Sequence, residues 1–521
     1  MKTYDVIVIG AGINGLVTAS ILGKKGKRVL ILESRDKIGG IASSMEFTPG
    51  FTCNVVHDTI KWIDPRLMKI LDLDTNGLQL VEPEILRVTL GDNSEHITFY
   101  RDIDKTINSI ARYSKKDSKR WEDFISYIKK LSQFLEKLYQ LPPPVLPNLG
   151  IKEVLGMRSL LSPIRKHGSQ GVVDLLRVAP MMMPELADEW FENELLRSCI
   201  STAGIHHLSF GPYAAGTGYN LLHQHVHSNG LFHNIKFVKG GIEQFATVLK
   251  EVAERFNVEI QTSAKVISIN TDQNVCNGVT LENGKKITAK QIVSALDPNN
   301  TFFNLVGPSN LTPDFRTQIN NIRYRGSTAR VHFALNKLPV VKGVNNEHLK
   351  TVFSISPSIE YLERASDAAK YGQIPDNPYI EFVIPSLLES NFAPKDKHVL
   401  SATIQYAPYH LRDTEWSDSI KDQLKNNIVD TLEKVIPNIR SIIKHTYILS
   451  PLDLENEFGI TEGNLNHGEM TLDQFMFMRP TISSSQYRTP INNLFICGPG
   501  THPGGGLHGT NGYNAAMEIL K

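Results

Sequence analysis

The chain has 521 residues, with 55 Lys and Arg against 54 Asp and Glu and a formal net charge of +1. That length exceeds what one hydrophobic core organises, so two connected domains are expected, and the balanced charge excludes a global pull toward nucleic acid or an anionic membrane. The four cysteines, Cys53, Cys199, Cys276 and Cys497, lie far apart without a Cys-x-x-Cys pair, which argues against a disulfide scaffold or a redox dithiol and fits a reducing, cytosolic compartment.

The first predicted element is an apolar strand from Tyr4 to Ile9, entered without the basic, apolar and small-residue regions of a signal peptide. It runs into Gly10-Ala-Gly12-Ile-Asn-Gly15 and then a helical segment through Thr18, Ala19 and Leu22. That order suits a dinucleotide-binding turn. Gly10 permits the tight turn, Gly12 lets backbone approach a pyrophosphate, and Gly15 lets the helix pack against the strand, its N-terminus facing phosphate charge. A second strand, Arg28 to Leu32, ends in Glu33, 23 residues beyond Gly10, near the spacing of a ribose-binding carboxylate.

The continuation Glu33-Ser-Arg35-Asp-Lys-Ile-Gly39-Gly40 resembles the extended fingerprint of the amine oxidase and phytoene desaturase flavoproteins, which bind FAD. The resemblance implies that Gly39 and Gly40 bring the chain back to the FAD diphosphate and that Arg35 contacts the cofactor. Where this superfamily commonly has an arginine after the glycine pair, Ile41 stands.

Further along, Ile107 to Leu138 sets Ile110, Trp121, Phe124, Ile128, Leu131 and Leu135 among lysines, and Gly156 to Lys166 sets Met157, Leu160, Leu161 and Ile164 beside cations. Both fit either an interfacial helix, hence peripheral membrane contact, or an amphipathic helix packed on its own domain. No run of about 18 apolar residues is present to span a membrane. His223, His225, His227 and His233 alternate as on one face of a strand; with no supporting cysteine or acidic pattern, they are expected to line a polar face or the substrate cavity, and no metal site is assigned.

Phe237-Val-Lys-Gly240-Gly241 precedes a one-sided helix with Ile242, Phe245, Ala246, Leu249, Val252, Ala253 and Phe256 on its apolar face. Strand-like runs follow at Lys265 to Ile269, Gly278 to Leu281, Lys286 to Thr288 and Gln291 to Ala295, with an Asn283-Gly284 hairpin turn among them. By the resemblance, Val266 meets the adenine. The chain ends with a strand, Asn493 to Cys497, running into Gly498-Pro-Gly-Thr501-His502-Pro-Gly-Gly505-Gly506-Leu507-His508-Gly509 and a terminal helix. Such glycines let backbone pass close to a planar ligand, and a helix N-terminus can stabilise charge on a reduced flavin. This ending resembles that of phytoene desaturases and carotenoid isomerases; the Ala-Gly-Glu signature usual in true amine oxidases is absent. Within the cofactor set, Gly498, Gly505, Gly506 and Leu507 join the N-terminal residues. His502 and Thr501 are the candidates for flavin tuning or proton movement, with shaping of the turn as the alternative for His502.

The resemblance implies an α/β fold: a Rossmann-type FAD-binding domain from residues 1–75, 236–299 and 486–521, and an interleaved α+β substrate domain from 76–235 and 300–485. The subgroup also contains proteins named for a pyridine nucleotide-disulphide oxidoreductase domain, whose disulphide chemistry four separated cysteines do not support. The expected activity is FAD-dependent oxidation or reduction of a hydrophobic, unsaturated substrate such as a carotenoid, isoprenoid or lipid, with oxygen, a quinone or another external carrier as electron acceptor. Redox-neutral carotenoid isomerisation, amine oxidation and a flavin-binding interaction protein with little turnover remain open.

Overall fold

The computed structural model describes residues 3–144, 158 and 161–521. Two sheets organise it. The first has at its heart parallel strands Leu494–Ile496, Lys286–Ser294, Tyr4–Ile9, Val29–Leu32 and Glu259–Gln261, in that spatial order. Tyr4–Ile9 and Val29–Leu32 are nearly all buried, as strands covered on both faces should be. Helix Ile13–Lys24 packs beside helices Glu243–Arg255 and Thr510–Ile519 in one apolar cluster containing Leu16, Phe245, Leu249 and Ala515.

Two expected runs, Lys286 to Thr288 and Gln291 to Ala295, are one strand, Lys286–Ser294. Its first half pairs antiparallel with Val275–Leu281, and its second half pairs parallel with Tyr4–Ile9. The change of partner explains the mixed burial pattern that reads as a break. Val266–Asp272 extends this meander, and Gly284 turns the hairpin with φ +80°.

The second sheet has seven strands in the order Ile443–Leu449, Thr328–Leu335, His398–Gln405, Tyr379–Val383, Val352–Ile355, Ile85–Leu90 and His96–Tyr100; only Val352–Ile355 with Ile85–Leu90 is parallel. Helices from residues 103–139 and 183–224 pack beside it.

Helix Lys115–Tyr139 buries Trp121, Phe124, Ile128, Leu131 and Leu135 in this second core, against Phe99, Phe191 and Phe232. Its apolar face is therefore internal packing, and the interfacial alternative for this stretch is corrected. Of the other stretch, residues 156, 157, 159 and 160 lie outside the described residues. No helix among the described residues is long and apolar enough to cross a membrane. His223 and its neighbours are not on a strand: His223 sits on helix Thr217–Gln224, His225 and His227 on the turn that ends it. Apolar positions Tyr219, Leu221 and Leu222 are buried as a helix buries them, which overrides the alternating pattern.

Candidate functional site

The N-terminal turn is built as its glycines dictate. Gly10 takes φ +96°, and a Cβ on Gly15 would stand 2.1 Å from the Gly10 carbonyl, so helix Ile13–Lys24 approaches the strand end only because that side chain is missing. Gly12 caps this helix without a side-chain acceptor, and a Cβ there would meet nothing within 4 Å; its open side faces a groove of about 430 Å³. Gly39 returns beside Gly12 and donates its amide to the Ala11 carbonyl at 2.9 Å. Glu33 is buried and accepts the Ala11 amide on Oε2 at 2.7 Å and the Arg35 amide on Oε1 at 3.0 Å.

The groove is lined by Gly10, Gly12, Gly15, Glu33, Arg35, Gly39, Gly40, Val266, Gly506 and Leu507, ten of the cofactor residues expected from sequence. Arg35 donates to the Gly40 carbonyl at 3.3 Å and lies 4.5 Å from the Phe458 ring centre. Gly498 is packed behind the groove, where a Cβ would stand 2.5 Å from the Ala295 carbonyl, and Pro499 takes the lining position. Gly505 faces an adjoining chamber instead. Phe458, Ile460 and His467 also line the groove; they come from the segment ahead of the terminal strand and carry no local motif.

The chamber, about 100 Å³, meets the groove at Leu465, Gly506 and Leu507. One wall is the second sheet. Arg330, Thr403 and Glu381 stand directly opposite one another on three adjacent strands and so share a face. Arg87, from Ile85–Leu90, donates to Glu381 Oε1 at 2.7 Å; Arg330 donates to Asp58 Oδ2 at 2.5 Å. Burial pushes the Glu381 carboxyl up, but Arg87, His206 and Lys61 outweigh it and hold the group well below the usual carboxylate range. On the opposite side, the His508 ring stacks on Trp62 with centroids 4.3 Å apart and planes at 6°. His508 accepts the Thr510 amide on Nδ1 at 3.1 Å and so donates from Nε2 to the Gly505 carbonyl at 3.1 Å. His223, its Nδ1 2.7 Å from the Tyr139 hydroxyl, lies 3.0 Å from the same carbonyl through Nε2. Burial lowers His223 to about 4 and His508 to about 3, so both are neutral near pH 7.

The sheet of strands with a glycine turn, a buried carboxylate and a groove ending at a second glycine turn is a dinucleotide fold, and similarity to known proteins identifies which one. The sequence profile described as flavin-containing amine oxidoreductase matches residues 13–520. The chain belongs to that family. The family's cofactor is a flavin, and the groove suits FAD: an unobstructed Gly12, an uncapped helix start and the Glu33 carboxylate supply space, phosphate-facing amides and ribose acceptors. Among relatives of this family member, the rat pyridine nucleotide-disulfide oxidoreductase domain-containing protein 2 is 29% identical over 99% of this chain and 93% of its own length. A limonene dehydrogenase polypeptide of Castellaniella defragrans is 24% identical over 100% and 95%; the lycopene-forming phytoene desaturase of a Paracoccus strain is 25% identical over 97% and 95%. Cyclohexylamine oxidase of Brevibacterium oxydans shares the fold, with TM-score 0.58, 15% identity and 99% coverage of both chains. The chain is an FAD-dependent oxidoreductase with an α/β Rossmann-like cofactor domain and a substrate domain.

Thr501 and His502 are brought to the terminal turn but line neither the groove nor the chamber. Thr501 donates to the Gly498 carbonyl at 2.8 Å, and His502 Nε2 lies 3.1 Å from the Leu138 carbonyl. Burial lowers His502 to about 4. Among the described residues no three His, Cys, Asp or Glu side chains are grouped as metal ligands, and the four cysteines are buried and unpaired. The charged chamber residues were not singled out from sequence. For three of them the available signal is a single charge inside an otherwise uncharged strand: Arg87 in Ile-Leu-Arg-Val-Thr-Leu, Arg330 in Thr-Ala-Arg-Val-His-Phe, Glu381 in Tyr-Ile-Glu-Phe-Val.

Proposed function

We propose that this chain uses FAD to dehydrogenate an unsaturated, largely hydrocarbon small molecule whose reacting end enters the chamber beside Gly506 and Leu507. The observation that carries this reading is the junction at Leu465, Gly506 and Leu507, where the dinucleotide groove and the chamber share a wall. FAD, when bound, supplies the acceptor for an electron pair drawn from carbon. The chain supplies the rest. Gly10, Gly12, Gly15, Glu33, Arg35, Gly39, Gly40 and Val266 hold the nucleotide; Gly498, Gly505, Gly506 and Leu507 form the turn beside the reacting part; and Trp62, Val352 and Leu507 exclude water from the chamber. Thr501 and His502 act by holding that turn, through Gly498 and Leu138.

Relatives named as limonene dehydrogenase and phytoene desaturase support a hydrocarbon-rich substrate. At about 100 Å³ the chamber is well below the roughly 300–1,000 Å³ of a drug-sized site, so it receives one end of a long substrate or the whole of a short one. Three cations, Lys61, Arg87 and Arg330, against two carboxylates, Asp58 and Glu381, weigh against a cationic amine. Electrons leave to oxygen, a quinone or another external carrier. The test is the visible spectrum of the flavin-loaded protein under anaerobic conditions with terpenes, carotenoids and unsaturated acids: bleaching by one class identifies the reductant, whereas absence of flavin after reconstitution with FAD overturns the reading.

A further inference from the structure

Several polar side chains that line the chamber have no hydrogen-bond partner among the described residues. Its two arginines are already engaged: Arg87 with Glu381, and Arg330 with Asp58 and, through Nε, with the Val55 carbonyl at 3.3 Å. The carboxylates are engaged as well, Glu381 also accepting the Tyr379 hydroxyl at 2.5 Å and Asp58 the Asn54 amide at 3.2 Å. Lys61 is different. It lines the chamber, yet its ammonium makes no hydrogen bond or ion pair among the described residues. It feels the Glu381 charge without touching that carboxylate, and a partly desolvated ammonium with no contacting counter-charge is costly to keep. The same chamber is lined by His57 and His206, whose rings also make no hydrogen bond among the described residues. They flank His207, with ring centroids 5.8 Å and 4.0 Å from it. Burial lowers all three rings, His206 to about 3, so each is neutral and offers one N–H donor without adding charge.

We propose that Lys61, with His57 and His206 of the same chamber, forms an anion subsite that receives a carboxylate at the end of the substrate. This rests on the chamber being the substrate site of the flavin oxidoreductase described above, and it narrows the substrate class to unsaturated carboxylic acids. The arrangement answers each unmatched group at once: the ammonium gains a counter-charge, the imidazole N–H groups gain acceptors, and the hydrocarbon part of the acid is directed along Val352 and Leu465 toward Leu507. Charge-assisted hydrogen bonds of this kind are among the strongest available to a protein.

Lys61 also makes the subsite pH-dependent. Burial first, then repulsion from Arg87, lower it to about 8, against attraction from Glu381; His206, His207, His225 and His233 also feel its charge, and all four are neutral there. Anion binding therefore weakens as pH rises through about 8.

The experiment titrates FAD-loaded protein with crotonate and with its uncharged isostere crotonamide, following the visible flavin absorption. Crotonate is expected to perturb the flavin and to bind more tightly than crotonamide. Lys61→Met should weaken crotonate on the order of 10- to 100-fold while leaving crotonamide within a few-fold. Lys61→Arg, which keeps the charge and should fold if the methionine variant does not, retains crotonate binding but loses the weakening above about pH 8, because arginine does not deprotonate there. Equal affinity for the two ligands, an unchanged crotonate affinity in Lys61→Met, or no crotonate binding at millimolar concentration overturns the subsite while leaving the flavin reading intact. Failure to load FAD would instead remove the reading on which it rests.

Discussion

The carboxylate of Glu33 accepts the backbone amide of Ala11 at 2.7 Å, joining the end of the second strand to the middle of the first glycine turn. One oxygen thus fixes the turn, and the other accepts the Arg35 amide and lies 3.2 Å from the Ser34 hydroxyl. Glu33→Ala removes both acceptors at the groove wall. It is expected to weaken FAD binding on the order of 10- to 100-fold, since hydrogen bonds to a charged group are worth about 1.5–3 kcal/mol. Glu33→Gln should lose less, because an acceptor oxygen remains. Equilibrium titration of apoprotein with FAD, read by quenching of flavin fluorescence, checks both; equal affinity in Glu33→Ala and the parent chain would exclude Glu33 from the ribose contact.

Gly12 and Gly15 separate space for ligand from space for backbone. A methyl group at Gly15 collides with the Gly10 carbonyl at 2.1 Å, so Gly15→Ala should destabilise the apoprotein itself by about 2–4 kcal/mol. At Gly12 the same methyl meets no protein atom within 4 Å, so Gly12→Ala should leave the apoprotein melting temperature nearly unchanged and yet impair FAD binding. Thermal melts of the two apoproteins, paired with FAD titrations, are the measurement. A matched loss of stability in both variants would contradict the division of roles.

What sequence reveals here follows from how locally each feature is encoded. Gly10, Gly12, Gly15 and Glu33 are legible because one turn and one crossover place them, at spacings that backbone geometry fixes. Val266, at the start of a strand, and the Gly505–Leu507 turn, after one, are legible through the family resemblance, and both line the groove or the chamber beside it. The chamber is not, because Arg87, Arg330 and Glu381 meet only through pairing of strands far apart in sequence, while Lys61 and His206 arrive from a loop and a helix end. The histidines 223 to 227 show the opposite failure. Their alternation imitates a strand, while burial of Tyr219, Leu221 and Leu222 commits the segment to a helix.

His502 offers a test of shape against chemistry. Its Nε2 lies 3.1 Å from the Leu138 carbonyl, its Nδ1 is buried without a partner among the described residues, and it faces neither cavity. His502→Ala should lower the melting temperature and the retention of FAD through loss of about 1–3 kcal/mol. His502→Gln, whose amide can still reach the Leu138 carbonyl, should recover much of that. On the proposed turn-holding role, the shape of the rate profile between about pH 5 and pH 8 should stay unchanged in both variants. A lost ionisation in that profile would instead give His502 a direct part in the chemistry.

Acid should unfold this protein through its buried imidazoles. Burial lowers His223, His225, His467 and His502 to about 4, and His206 and His508 to about 3, whereas an unfolded histidine titrates near 6.5. Between those values the unfolded chain binds protons that the native chain refuses, so stability rises with pH through the window and is fully present above about pH 6.5. It is lost as pH falls below that value, at about 1.4 kcal/mol per pH unit for each histidine. Asp58, Glu363, Glu457 and Glu469, pushed up by burial, change in the opposite sense and offset part of the loss. Six histidines against four such carboxylates leave a net loss of stability toward acid, and domains are stable by only roughly 5–15 kcal/mol. The apoprotein melting temperature should therefore fall steeply between about pH 7 and about pH 5.5. A flat profile over that range would mean that these rings are protonated in the folded state, and with them the neutral donors assigned to the chamber would be lost.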